Sequence, residues 1–206
     1  MTDDLPKAVR AVAKGSGWSV KRDILSKRVN DHALAIHPRR GARGIIEFRA
    51  KPIAWDHLLW SILQIKGNEK QPISFHFIGA FTCDTPALLQ ETVDPQASNT
   101  ELAQQMVHLS ERCLQLVSTW QSYDLLVAIE EEQPQEPYRY HITRVLDQIC
   151  SGNRQAAHDI CEAARAGRLD IRRSFSSVDE LTSLDSNGRR PSLTFFQLAK
   201  LWMSRH

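Results

Sequence analysis

The sequence predicts an α+β protein: an N-terminal antiparallel sheet with two packed helices, followed by a mainly helical C-terminal half. Three observations predict it. Apolar residues recur at every second position in short runs between Trp18 and Ala50, as in half-buried strands. After residue 99 they recur at steps of three and four, as on helices. The 206 residues are 42% hydrophobic and 24% charged, the balance of an ordinary globular chain. That balance excludes a disordered tail and a collagen-like fibre. Every apolar run is far shorter than the ~20 residues that a bilayer-spanning helix requires.

The elements follow in order. Residues 3–14 read as a helix with Leu5, Ala8, Val9 and Val12 on one face, Asp3 or Asp4 as cap and Pro6 in the first turn. Gly15 and Gly17 end it. Trp18 and Val20 then open a strand, Ile24 to Val29 continues or returns it, and Ala33 to Ile36 forms another, stopped at Pro38. A basic turn, 39–44, leads to Ile45–Ala50. There Ile46, Phe48 and Ala50 face one way while Glu47, Arg49 and Lys51 face the other, which predicts a meander with one solvated face. A helix over Ile53–Ile65 presents Trp55, Leu58, Leu59, Ile62 and Leu63, with Gly67 as its C′ glycine. Ile73, Phe75 and Phe77 alternate as a last strand, which closes an α+β layer over 1–81.

Residues 82–98 read as a connector, with one short helix around Ala87–Thr92. The region 99–206 reads as helical and packed on the first part as one compact unit. Leu102, Met106, Leu109, Cys113, Leu116 and Trp120 form a seam of about two and a half heptads, too short for a coiled coil and suited to a core-facing helix. Ile142–Ile149 and Ala156–Ala164, separated by Gly152, predict an αα-hairpin. Residues 174–190 read as a loop, and a last helix over 192–204 offers Phe195, Leu198, Ala199 and Trp202.

Motifs for chemistry are absent from the sequence. It has no phosphate-cradling glycine loop, GxSxG elbow, HExxH or EF-hand. Asp31, Glu47 and Arg49 approach the carboxylate–carboxylate–lysine arrangement of metal-dependent nucleases, but an arginine cannot play the lysine's part. His141, Cys150, His158 and Cys161 match no standard zinc spacing. His32, His57 and His108 are scattered. The four cysteines, with no CxxC pair, are expected to be reduced and mostly buried. The reading is therefore a non-enzyme with no catalytic residue, cofactor or metal. An acidic N-terminus without an apolar run adds the expectation of a cytoplasmic protein without a secretory signal.

Charge is segregated along the chain. Residues 1–70 hold 14 Lys/Arg against 7 Asp/Glu, a net +7; residues 71–150 hold 3 against 11, a net −8; residues 151–206 hold 9 against 6, a net +3. The basic cluster Arg39, Arg40 and Arg43, supported by Lys21, Arg22, Lys27 and Arg28, is the nucleic-acid signal, suited to phosphate contacts. The modest pI and the lack of solvent-facing aromatics make it the second reading.

Gly17-Trp18 after the first helix, Phe48 before Lys51-Pro52, Trp55 and Trp60 on the next helix, and FHFIGAF at 75–81 form one layout. It resembles a diverse group of bacterial α+β immunity-type proteins encoded beside polymorphic or contact-delivered toxins. The resemblance covers residues 3–81 and consists of packing residues. It implies stoichiometric neutralisation of a toxin with a basic surface. The acidic residues Asp124, Glu130, Glu131, Glu132 and Glu136, with Asp147, would then make the partner face, and Trp120, Tyr138 and Tyr140 would be its aromatic anchors.

Overall fold

The computed structural model describes residues 4–39, 44–118, 140–171, 175–178, 189 and 192–206. It has the α+β architecture that the sequence predicts. A five-stranded antiparallel sheet stands in the N-terminal part with helices, and the C-terminal half is mainly helical. The chain divides into two compact units: 1–53 with 72–79 and 85–128, and 54–71 with 80–84 and 129–206.

The first unit is built on the sheet. Helix α1, Leu5–Val12, begins with Pro6 in its first turn; Asp4 is the N-cap residue, though its side chain makes no capping bond. Strands β1 (Ser19–Lys21), β2 (Ile24–Val29), β3 (His32–Pro38), β4 (Ile45–Pro52) and β5 (Ala87–Thr92) pair in that order. Two-residue turns join β1 to β2 and β2 to β3. Their first residues, Arg22 and Asn30, adopt φ of 57° and 51°, the left-handed conformation such tight hairpins require.

One sheet face carries Leu25, Leu34, Ile36, Ile46, Phe48 and Ala50. They pack with Val9, Ala13 and Trp18 and with Ala103, Met106, Leu109, Cys113 and Val117 of the long helix Asn99–Ser118. The heptad seam is thus a core-facing stripe, as its length predicts. In chain order the helices are α2 (Ile53–Ile62), α3 (Phe75–Ile78), α4 (Asn99–Ser118), α5 (His141–Cys150), α6 (Arg154–Arg165) and α7 (Phe195–Arg205).

Three sequence expectations are corrected. The short helix expected at Ala87–Thr92 is β5, registered on β4 with Phe48 opposite Leu89. The strand expected at Ile73–Phe77 is the single turn α3. Phe75 N–H donates to the Pro72 carbonyl and His76 N–H to that of Ile73, so the segment coils and buries Ser74 and His76 while both phenylalanines stay half-buried. At Gly79 a Cβ would lie 2.5 Å from the Phe75 carbonyl oxygen, so only glycine closes this turn. The stretch expected as a loop at 174–190 contains β6, Ser176–Val178, paired antiparallel with β7, Ser192–Thr194.

In the second unit α2 ends earlier than the expected Ile65. Ile65 N–H bonds to the Trp60 carbonyl and Gln64 N–H to that of Ser61, a Schellman closure with Gln64, at φ 57°, in the place usually held by glycine. Helices α5 and α6 form the predicted αα-hairpin around Gly152, at φ 80°. Thr194 and Gln197 make a capping box at the start of α7. Glu162 of α6 pairs with Lys200 of α7 and with Arg165, bonds that hold its carboxyl down at about 2.

Candidate functional site

Strand β4 carries three ionisable groups on one face. Alternation places Glu47, Arg49 and Lys51 on the face opposite Ile46 and Phe48, and the sequence predicts that this face is solvated. It is not: Glu47 is 2% exposed, Arg49 9% and Lys51 0%. The charges are instead paired internally, although Glu47 Oε1 accepts no hydrogen bond among the described residues. Arg49 donates from Nε (3.0 Å) and Nη2 (2.8 Å) to Glu47 Oε2, and from Nη1 to the Thr85 carbonyl. Arg39 Nε lies 3.5 Å from the other oxygen, Glu47 Oε1. Thr85 returns its hydroxyl to the Ala50 carbonyl at 3.0 Å, and the Lys51 ammonium stands 5.4 Å from the centre of the Phe77 ring. His37, opposite Glu47 in the register, is held below the usual histidine range by burial, with the Arg49 charge acting in the same direction.

The Glu47 carboxylate thus lies between two guanidiniums, with Oε2 accepting both Arg49 bonds and Oε1 ion-paired with Arg39. Asp31, the second acid of the nuclease-like set, is 94% exposed at its side chain and lies 3.7 Å from Arg28. Along β3 it stands six positions from His37, which faces Glu47, or about 20 Å of strand. The structure does not bring the two carboxylates together.

The histidine–cysteine set is likewise not assembled into a site. Burial pushes the thiols of Cys161 and Cys113 up to about 12 and holds His141 below its usual range. Cys83, Cys113 and Cys161 are buried free thiols; Cys150 is exposed. Among the described residues no group of three or more His, Cys, Asp or Glu is arranged to hold a metal ion.

Of the expected partner face, Asp124, Glu130, Glu131, Glu132, Glu136, Tyr138 and Trp120 lie outside the described residues, as do Arg40 and Arg43 of the basic turn. Tyr140 is described and is 0% exposed, so it is a core residue of the second unit and not a surface anchor. Asp147 is half-buried. Arg39 is engaged by Glu47.

Two features are not among the residues singled out from the sequence. On α1, Lys7 and Arg10, with Lys14 just beyond its end, lie opposite buried Val9 and are exposed; Lys21 and Arg22 of the sequence-predicted basic cluster are exposed too, at the β1–β2 turn. The i, i+3, i+7 spacing is the signal that could have found the first three. In the second unit a cleft of about 500 Å³ opens at the C-terminal end of α2, beside Trp60, Gln64, Lys66 and Glu69. Near it the Trp202 indole N–H donates to Ser61 Oγ at 3.2 Å and its ring stacks on His206 at 4.4 Å. No described helix is long and apolar enough to cross a membrane. No family model, no curated protein and no solved structure matches the chain.

Proposed function

We propose that this chain is a non-enzymatic, cytoplasmic protein that neutralises a cognate bacterial toxin by binding it one to one. The observation that carries the reading is the segregation of charge: a net −8 over residues 71–150 between two cationic stretches. Within that block the described Glu91 is paired with Arg112, while Asp94, Glu101 and Glu111 are exposed. A toxin that acts on a polyanion presents cationic surface, and an acidic block competes for that surface and speeds the encounter. Asp124, Glu130, Glu131, Glu132, Glu136 and Tyr138 are the proposed contacts. The pairing of Glu47 with Arg49 and Arg39, and the raised thiols of Cys113 and Cys161, support a binding role over a chemical one.

The test is co-expression with the product of the adjacent reading frame. The expected outcome is a one-to-one complex that relieves growth arrest. Replacing Glu130, Glu131 and Glu132 by Lys should slow association by about tenfold at low salt, with the difference shrinking as salt screens the field. A chain that leaves the neighbour's toxicity unchanged and turns over a substrate alone would overturn the proposal.

A further inference from the structure

We propose that the first unit also binds the phosphate backbone of nucleic acid, through a cationic surface formed by α1, the residues that follow it and the β1–β2 hairpin. This inference is independent of the toxin-binding reading and uses other residues than the basic turn at 39–43. Lys7, Arg10 and Lys14 occupy one exposed edge of the helical segment, with the buried Val9 and Ala13 on the other side. From Lys7 to Lys14 that edge is about 10 Å long at the helical rise, equal to the axial rise of about three phosphates along one strand of a duplex.

The hairpin extends the surface. Ser19 pairs with Ser26 and Lys21 with Ile24, so Lys21 and Arg22 sit at its exposed tip. The Lys27 ammonium reaches back to Gly17, where a Cβ would lie 3.4 Å from Nζ, and this brings it to the linker that follows Lys14. Among the described residues, no acid pairs with Lys7, Arg10, Lys14, Lys21 or Arg22. Among the described residues, the acids nearby in sequence are Asp4 at the α1 N-cap, the half-buried Asp23, and Asp31, which pairs with Arg28.

The chemistry favours a phosphodiester polymer over a lipid surface. A membrane-binding amphipathic helix must offer its apolar face to the acyl boundary. Here Leu5, Val9 and Val12 are packed against the core. No large hydrophobic residue is exposed in the described part of this unit. Without exposed aromatics to stack on bases, the contacts are to phosphate, and binding is independent of sequence.

The experiment is fluorescence anisotropy of the full chain with a labelled duplex DNA of mixed sequence, titrated between about 50 mM and about 200 mM salt. Five phosphate contacts give a slope of log K against log salt near −4.5, at about −0.9 per contact. The variant Lys7→Gln/Arg10→Gln/Lys14→Gln should reduce the slope by about 2.7 in magnitude. Arg22→Gly should reduce it by about 0.9 while suiting the left-handed backbone there, so lost binding cannot be ascribed to unfolding. Arg39→Ala should leave the slope unchanged. Undetectable binding at the lowest salt, an undiminished slope in the triple variant, or binding to phosphatidylserine vesicles in preference to DNA would each overturn the proposal.

Discussion

Glu47 shows how one side chain decides what a strand face is for. Its carboxylate holds Arg49 through two bonds to the same oxygen and meets Arg39 with the other. Removing the carboxylate leaves a guanidinium buried without its counter-charge, a change that costs about 3–5 kcal/mol, whereas replacing both partners by apolar groups of similar size is often neutral. Glu47→Ala should therefore lower the unfolding free energy by about 3–5 kcal/mol in urea titration at neutral pH. Glu47→Leu combined with Arg49→Met should recover most of it. A loss under about 1 kcal/mol for the single variant would mean that the pair is solvated after all. In sequence, Glu47, Arg49 and Lys51 alternating with apolar residues carry the signature of a half-exposed strand. A face buried by internal pairing gives the same letters, and the partners Thr85 and Phe77 lie 36 positions beyond Arg49 and 26 beyond Lys51, where periodicity cannot link them to the strand. That is why the element was legible and its environment was not.

At the scale of elements, β5 carries the same lesson in backbone terms. Ala-Leu-Leu-Gln-Glu is a run of good helix formers, and local preference alone makes it a helix. Pairing with β4 overrides that preference, and Leu89 and Glu91 come to lie beside Phe48 and Ile46. Val93 N–H donates to the Gly44 carbonyl at 2.6 Å, so by the alternation of an antiparallel ladder Glu91 and Leu89 also direct their N–H groups at β4, while Gln90 and Thr92 direct theirs outward. A proline scan should expose this register. Leu89→Pro or Glu91→Pro removes a ladder bond and should destabilise by about 3 kcal/mol, while Gln90→Pro, on the outer edge, should be much milder. Equal losses at all three positions would show that β5 is not paired in this register; the urea midpoint of each variant is the measurement. The long amphipathic segments, α1, α4, α5 and α6, were legible because many turns repeat the same spacing. The four-residue α3 has a single turn, and Pro72 together with the bonds at Phe75 and His76 decides its course.

For the whole molecule, the order in which the chain visits its two units matters more than the linear blocks of charge or composition. It passes from one to the other after residues 53, 71, 79, 84 and 128, so neither unit is a continuous stretch that could fold ahead of the rest. Such connectivity favours a single cooperative transition. The cysteines report on it without any substitution, because Cys113 lies in the first unit and Cys83 and Cys161 in the second, all three buried, while Cys150 is exposed. In native buffer a thiol reagent should therefore modify Cys150 alone, and slowly, since desolvation and the Asp147 carboxylate push its thiol up and reduce the reactive thiolate. With rising urea, Cys113 and Cys161 should become reactive at the same midpoint, as read by peptide mass mapping after pulse labelling. Two separated midpoints would mean that the units open independently, and the free energies measured for Glu47 or β5 variants would then describe the first unit by itself.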